Sequence, residues 1–189
     1  MTTEVADAPE IPGESKPRRD SRFPQLIGHA NDDKPEIDTP LLAFYAAVER
    51  FPNAKCLGRR FPNPDGKGAG PYEWLTYSDV KKNVLLVGEH LAKTCGLARG
   101  SKVGIYSMNR PEWTTSALAM WSQGLVCVPL YDSVGVDAVR FIVNHAALPV
   151  VFCERSKLPT LLDASKESRY LHTHTHTHTH TPNSRSLGI

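Results

Sequence analysis

Three polar side chains follow the apolar runs that the sequence predicts as parallel strands. Arg110 lies shortly after the run Val103–Ser107, and Tyr131 and Asp132 come directly after the run Val126–Leu130. Open parallel sheets bind ligands in the crevice outside the carboxyl ends of their strands, so these residues are candidates for a position near a ligand cleft. Alternatives stay open: Arg110 faces the cleft or pairs with a carboxylate. Tyr131 and Asp132 lie near the cleft or form a turn in which Asp132 caps the next segment. No catalytic, cofactor-binding or metal-ligating role is assigned to any of them.

A glycine-rich stretch, Asp65–Gly70, raises the question of a phosphate-binding loop. It lacks the GxxxxGK[ST] spacing, and it precedes a predicted strand rather than a helix. Two short β-type runs flank it, at residues 55–61 and 72–77. This arrangement favours a β-hairpin whose turn contains the glycines.

Histidine and threonine alternate over residues 172–181, which hold five of the eight histidines. In an extended chain the imidazoles would lie on one face, about 7 Å apart, and neutral imidazole binds Zn²⁺, Cu²⁺ and Ni²⁺. A weak metal-binding tail is therefore one hypothesis, although no carboxylate or thiolate completes a fixed site. The favoured hypothesis is that a CA dinucleotide repeat, which encodes alternating histidine and threonine, has been translated from intron sequence.

Helical and strand patterns alternate through the middle of the chain. Asp38 or Thr39 predicts the start of a first helix, and Thr76 with Asp79 predicts a capping box at the start of a second. Short β-branched runs then alternate with helical segments at about 111–124 and 136–147, which is typical of βαβ units. The predicted fold class is α/β, with an early β-hairpin, a partial parallel βαβαβ layer and disordered ends.

Three regions are predicted along the chain. Residues 1–38 are polar and proline-rich and are predicted to be a disordered leader. Residues 39–165 form a partial domain, and residues 166–189 form a low-complexity, intron-derived tail. Because no core-forming sequence is predicted beyond Ser165, the apolar strands are expected to lack part of their covering layers and to keep an open apolar edge.

Composition and charge argue against several classes of protein. The chain has 189 residues, with 22 Lys and Arg against 20 Asp and Glu, and its net charge of +2 gives no electrostatic argument for nucleic-acid binding. No apolar run approaches the ~20 residues of a membrane helix, and no secretory signal is predicted. The four cysteines form no CxxC pair, and a cytoplasmic location is expected.

Several motifs are similar to those of one enzyme family. The stretch VGIYSMNRPEW, residues 103–113, contains NRPEW, and VPLYDSVGVDAVRFIVNHA, residues 128–146, contains PLYD and NHA. In this order and spacing they resemble the long-chain fatty acyl-CoA synthetases of the adenylate-forming, AMP-binding superfamily. The resemblance runs from Thr39 to Lys157, and Ser133-Val134 replaces the Thr-Leu usual in the family. It implies an N-terminal fragment with an incomplete N-terminal part of the adenylate-forming fold.

The resemblance implies an ATP-dependent ligase that converts a fatty acid to acyl-CoA through acyl-AMP, releasing pyrophosphate and AMP. ATP, Mg²⁺ and CoA would serve the longer protein, with a peroxisomal or ER-membrane location, and none is assigned to this chain. The family's Ser/Thr/Gly-rich phosphate loop is not found, because Thr114–Ala117 lacks the glycines and lies in a predicted helix. The fragment is expected to be inactive alone, and the alternative is a short non-catalytic binding or interaction protein.

Overall fold

The structure is a computed structural model that describes residues 2–5, 11–20, 37–171 and 173–177. The chain divides into two compact units, Met1–Ala46 and Ala47–Ile189. The first is small, and the second contains the hairpin and the parallel sheet that carry the candidate site. The predicted limits of the leader, the partial domain and the tail stay predictions.

The first unit holds a two-stranded antiparallel sheet, β1 (Thr2–Glu4) and β2 (Arg18–Asp20). No element is predicted here, because the segment has little apolar periodicity. The strands pair through their backbones, and Arg18 forms a 3.2 Å ion pair with Glu4. Both of these side chains are more than half exposed, so the ion pair contributes little stability.

Helix α1 (Pro40–Arg50) begins where the sequence predicts. Thr39 Oγ1 accepts a hydrogen bond from the amide of Leu42 at 3.2 Å. Pro40 occupies the first helical position, where its fixed φ is favourable and no amide hydrogen is needed.

Strands β3 (Lys55–Pro62) and β4 (Ala69–Thr76) form the predicted antiparallel hairpin. Gly66 and Gly68 in the connecting turn both have positive φ, a conformation that favours glycine. The glycine-rich stretch is therefore a hairpin turn, as predicted, and not a phosphate loop before a helix.

Helix α2 (Tyr77–Glu89) follows β4 directly and starts with the predicted capping box. Thr76 Oγ1 accepts a hydrogen bond from the Asp79 amide at 3.1 Å, and Asp79 Oδ2 accepts one from the Thr76 amide at 2.9 Å. The helix then widens into a π-helical turn, His90–Thr94, which no local pattern indicated. Gly96, with a φ of 64°, lies just beyond its end, where the left-handed conformation favours glycine.

Strands and helices alternate through the rest of the second unit. They are β5 (Lys102–Tyr106), α3 (Pro111–Ser122), β6 (Val126–Leu130), α4 (Val136–His145), β7 (Val150–Glu154), a 3₁₀ turn (Arg155–Lys157), α5 (Leu158–Ser165) and β8 (Thr173–Thr177). The strands form one parallel sheet in the order β6-β5-β7-β8, which confirms the predicted βαβαβ layer and adds a strand to it. Pro129, which has no amide hydrogen, lies on the outer strand β6, where an unpaired edge tolerates it.

Helices cover both faces of this sheet. Ile105 and Phe152 pack with buried residues of α3 on one face, whereas Val151 packs with buried residues of α4 and α5 on the other. The expectation of missing cover was wrong for the described residues. It failed because α5 was not predicted, although its Leu161 and Ala164 are fully buried. Strand alternation sends neighbouring side chains to opposite faces, so both helical layers are needed.

The fourth strand comes from the histidine–threonine repeat, for which no strand was predicted. β8 pairs parallel with β7, with Thr173 opposite Val150 and Thr177 opposite Glu154. A strand edge offers unpaired N–H and C=O groups, and β-branched threonine favours extended backbone, so the repeat can supply the neighbouring strand. The rest of the repeat lies outside the described residues. Its metal binding and its intron origin stay predictions.

Ala147, just beyond helix α4, has a φ of 53°. Its amide donates to the Asn144 carbonyl, and the Leu148 amide donates to the Val143 carbonyl, which is a Schellman motif with alanine at the left-handed position. Ala147→Gly is expected to raise the free energy of unfolding by about 0.5–1 kcal/mol, because glycine removes the Cβ strain. Urea unfolding followed by circular dichroism would measure it.

The neighbouring alanine is the matched control for this change. Ala146 has right-handed helical φ and ψ, so Ala146→Gly is expected to lower stability. Equal effects of the two substitutions would contradict the strain argument.

Candidate functional site

The carboxyl ends of β5 and β7 form a topological switch point. From β5 the chain runs through α3 to β6 on one side, and from β7 it runs through α5 to β8 on the other. The two connections diverge and leave a crevice between the strand ends, which is where open α/β sheets bind ligands. The sequence predicts a cleft at this edge but not which strand ends flank it.

Arg110 and Glu154 face each other across this crevice. Arg110 follows β5, Glu154 ends β7, and Arg110 Nη1 lies 3.9 Å from Glu154 Oε2. Arg110 Nε also donates a 2.9 Å hydrogen bond to Glu112 Oε2, in the first turn of α3. The Arg110 side chain is 18% exposed and that of Glu154 is 13% exposed. The structure thus gives Arg110 two carboxylate partners, in line with the second of its two sequence-based alternatives.

Little space remains between these side chains. The cavity beneath them has a volume of about 10 Å³, with Ser107, Trp113 and Ser116 among its lining residues. That is room for about one water molecule. In this structure the crevice is therefore filled by the protein's own side chains.

Arg59 joins the hairpin to this charge cluster. Its Nη1 donates a 2.9 Å hydrogen bond to Glu112 Oε1, so the carboxylate of Glu112 lies between two guanidinium groups. Burial by itself raises the pKa of Glu112, but the hydrogen bond from Arg110 and the charges of both arginines outweigh it. The pKa of this carboxyl group is held below its ordinary value of 4.5.

Tyr131 and Asp132 lie on the loop after β6, at the same edge of the sheet. Tyr131 is exposed, and the Asp132 carbonyl accepts a 2.6 Å hydrogen bond from Lys157 Nζ. The Tyr106 hydroxyl donates to the Val134 carbonyl at 2.9 Å, which fixes the other end of the loop. Burial, together with the negative charges of Asp132 and Glu154, raises the pKa of Tyr106. The loop is thus held through its backbone carbonyls.

The sequence-predicted residues do not form one cluster. The structure brings Arg110 together with two carboxylates and leaves Tyr131 and Asp132 on the neighbouring loop. Arg59 and Glu154 were missed: the position of Arg59 depends on how the separate hairpin packs against α3, and that of Glu154 depends on the strand order of the parallel sheet. The one local signal for Glu154 is that it is the first charged residue after the buried run of β7.

The crevice between Arg110 and Glu154 offers no free cation for the phosphate groups of ATP. Phosphate groups need cations or N–H groups that are free to bind them, whereas Arg59 and Arg110 are already engaged with carboxylates. Throughout the described ranges, no group of three or more His, Cys, Asp or Glu side chains could hold a metal ion. No catalytic step is therefore derived from these residues.

Comparison with known proteins identifies the family. Residues 44–186 match the family of AMP-binding enzymes. The chain is 44% identical over 143 residues to long chain acyl-CoA synthetase 5 of Arabidopsis thaliana, covering 75% of this chain and 21% of that protein. It is 42% identical over 147 residues to the peroxisomal long chain acyl-CoA synthetase 6 of the same plant, covering 78% and 19%.

Solved structures show the same fold. An anthranilate CoA ligase in complex with anthranoyl-AMP superposes with a TM-score of 0.62 at 18% identity, over 72% of this chain and 24% of that one. The chain spans about a fifth of the length of the two curated relatives. It belongs to the AMP-binding enzyme family, in which it is similar to the long-chain acyl-CoA synthetases.

Proposed function

We propose that this chain is the N-terminal segment of an ATP-dependent long-chain fatty acid–CoA ligase. The reaction of the longer protein would be fatty acid, ATP and CoA to acyl-CoA, AMP and pyrophosphate, with Mg²⁺ on the phosphates. The observation that carries the proposal is the 44% identity to a long chain acyl-CoA synthetase over 143 residues. A peroxisomal or ER-membrane location of the longer protein is part of the proposal, and a relative named peroxisomal supports the first.

Within that reaction, the chain would contribute scaffold rather than chemistry. Its parallel strands would form the first part of the longer protein's sheet, and its crevice is filled by the Arg110–Glu154 pair. The sequence also contains no Ser/Thr/Gly-rich phosphate loop. Both observations support a segment that is inactive by itself. None of the helices in the described part of the chain is long and apolar enough to cross a membrane.

The purified chain with ATP, Mg²⁺, CoA and palmitate is expected to release no pyrophosphate above the background without enzyme. Coupled pyrophosphate detection would measure this, with an intact long-chain acyl-CoA synthetase as the positive control. Circular dichroism of the same sample shows whether the chain is folded. Turnover that depends on palmitate would contradict the proposal of an inactive segment.

A non-catalytic binding protein is the second candidate, and one observation favours it. Helices cover both faces of the sheet, so the described residues have the layers that an independently folding domain needs. A monodisperse preparation that unfolds cooperatively would support this candidate. An aggregated or molten preparation would exclude it and favour an incomplete segment.

A further inference from the structure

The outer face of the β3–β4 hairpin carries an exposed aromatic pair. Trp74 lies opposite Gly58 and Tyr72 lies opposite Arg60, so side-chain alternation puts both rings on one face. The rings stack with centroids 5.4 Å apart, and Tyr72 is 58% exposed and Trp74 44% exposed. Lys55, Arg60, Tyr72 and Trp74 are here called the aromatic face.

Two cations complete the aromatic face. Lys55 Nζ lies 5.5 Å from the Trp74 ring centroid, and Arg60 Cζ lies 5.7 Å from the Tyr72 ring centroid. Arg60 Nε also donates a 2.7 Å hydrogen bond to the Gly70 carbonyl. Within the part of the chain that the structure describes, neither cation pairs with a carboxylate. Contact with a ring leaves their positive charge uncompensated.

The acidic residues Glu73 and Glu112 lie at the face of the hairpin opposite to the aromatic face. Glu73 is opposite Arg59 in the strand register, and Arg59 pairs with Glu112 of helix α3. The opposite face is therefore turned toward α3, where the positive charge of Arg59 is neutralised by the Glu112 carboxylate. The aromatic face points away from that contact and carries only positive charge.

Half-exposed Tyr and Trp rings beside Lys and Arg side chains that have no carboxylate partner among the described residues match the headgroup region of an anionic bilayer. Amphipathic rings settle at the headgroup level, and the cations attract acidic lipids. We propose that the aromatic face binds anionic phospholipid headgroups at a membrane surface. A single-stranded nucleic acid needs a cationic groove that follows its backbone, whereas this face offers two rings and two cations on a chain of net charge +2. The inference is independent of the proposed ligase activity.

Vesicle flotation of the 189-residue chain tests the proposal without ATP, CoA or fatty acid. We expect binding to vesicles of phosphatidylcholine and phosphatidylserine, weakened by salt, and none to pure phosphatidylcholine. Lys55→Gln should weaken binding about fivefold, since it removes one cation from the surface. Tyr72→Ser should weaken it by a similar factor of about five. About half of the Tyr72 side chain is exposed, and the substitution removes that surface from contact with the headgroups.

Matched controls separate this face from general charge and exposure. Lys102 is an exposed cation and Phe141 an exposed ring outside the hairpin, and Lys102→Gln and Phe141→Ser should leave vesicle affinity unchanged. Circular dichroism verifies that each variant is folded. Tyr72 is substituted rather than Trp74, because the Trp74 ring packs over Gly58 and its removal would disturb the hairpin.

Results of three kinds would overturn the proposal, concerning lipid selectivity, the control variant and nucleic-acid binding. One is the absence of binding to the acidic vesicles, or equal binding to pure phosphatidylcholine. Another is an equal loss of affinity in Lys102→Gln and Lys55→Gln. The third is tighter binding to single-stranded oligothymidylate that Tyr72→Ser abolishes, because that would assign the face to nucleic acid.

Discussion

Glu112→Ala is expected to lower the free energy of unfolding by about 2–3 kcal/mol. Removing one partner from a buried ion pair typically costs about 3–5 kcal/mol, and the Glu112 side chain is still 25% exposed, which reduces that loss. The change leaves Arg59 without its carboxylate and Arg110 with only the longer contact to Glu154. Urea unfolding followed by circular dichroism would measure the loss.

The same carboxylate predicts a pH dependence. Because the folded protein holds the pKa of Glu112 below its ordinary value of 4.5, the ionised form stabilises the fold above that value. This contribution is lost as the pH falls through the lower, folded pKa. The stability difference between the wild type and Glu112→Gln should therefore be full at neutral pH and shrink as the pH falls below 4.5.

Asp137 provides a matched control for both experiments. It also lies in the first turn of a helix and pairs with an arginine, at 3.1 Å from Arg140, but its side chain is 90% exposed. Solvent screens such a pair, so Asp137→Asn should have no measurable effect. If Asp137→Asn and Glu112→Gln lost stability equally, burial between two arginines would not be the cause.

Gly104→Val is expected to destabilise the second unit by about 3 kcal/mol. Gly104 lies in the central strand β5, and a Cβ placed there would come within 2.9 Å of Val151 Cγ2 and 3.0 Å of Leu148 Cδ1. Leu130 follows at 3.2 Å, so three elements would have to move apart. Overpacking of this kind costs about 1–3 kcal/mol, and valine adds more than the first carbon.

Gly70 is the matched glycine, since it also lies in a strand. A Cβ there has its nearest neighbours at 3.5 and 3.6 Å, which is ordinary contact. Gly70→Val is therefore expected to cost less than about 1 kcal/mol by the same urea measurement. A comparable loss at both glycines would show that strand glycines are needed for a reason other than close packing in the core.

Local patterns predicted the elements of the fold but not their neighbours. The capping box at Thr76, the turn glycines of the hairpin and the apolar runs of β5, β6 and β7 are read from a few adjacent residues, and all were confirmed. Helix α5 was missed because it is only eight residues long, too short for a clear helical period. The π-helical turn was missed because it depends on packing rather than on a residue type.

The sequence by itself determined the α/β class, the hairpin, the order of strands and helices along the chain, and the resemblance to the long-chain acyl-CoA synthetases. Only the tertiary structure decided that β7 lies beside β5, and with it the pairing of Arg110 with Glu154 across the crevice. The reason is physical: caps, turns and periodicity are local interactions, whereas strand order follows from burying both faces of a sheet under helices distant in sequence. The partners of a charge on one strand end are therefore settled by packing.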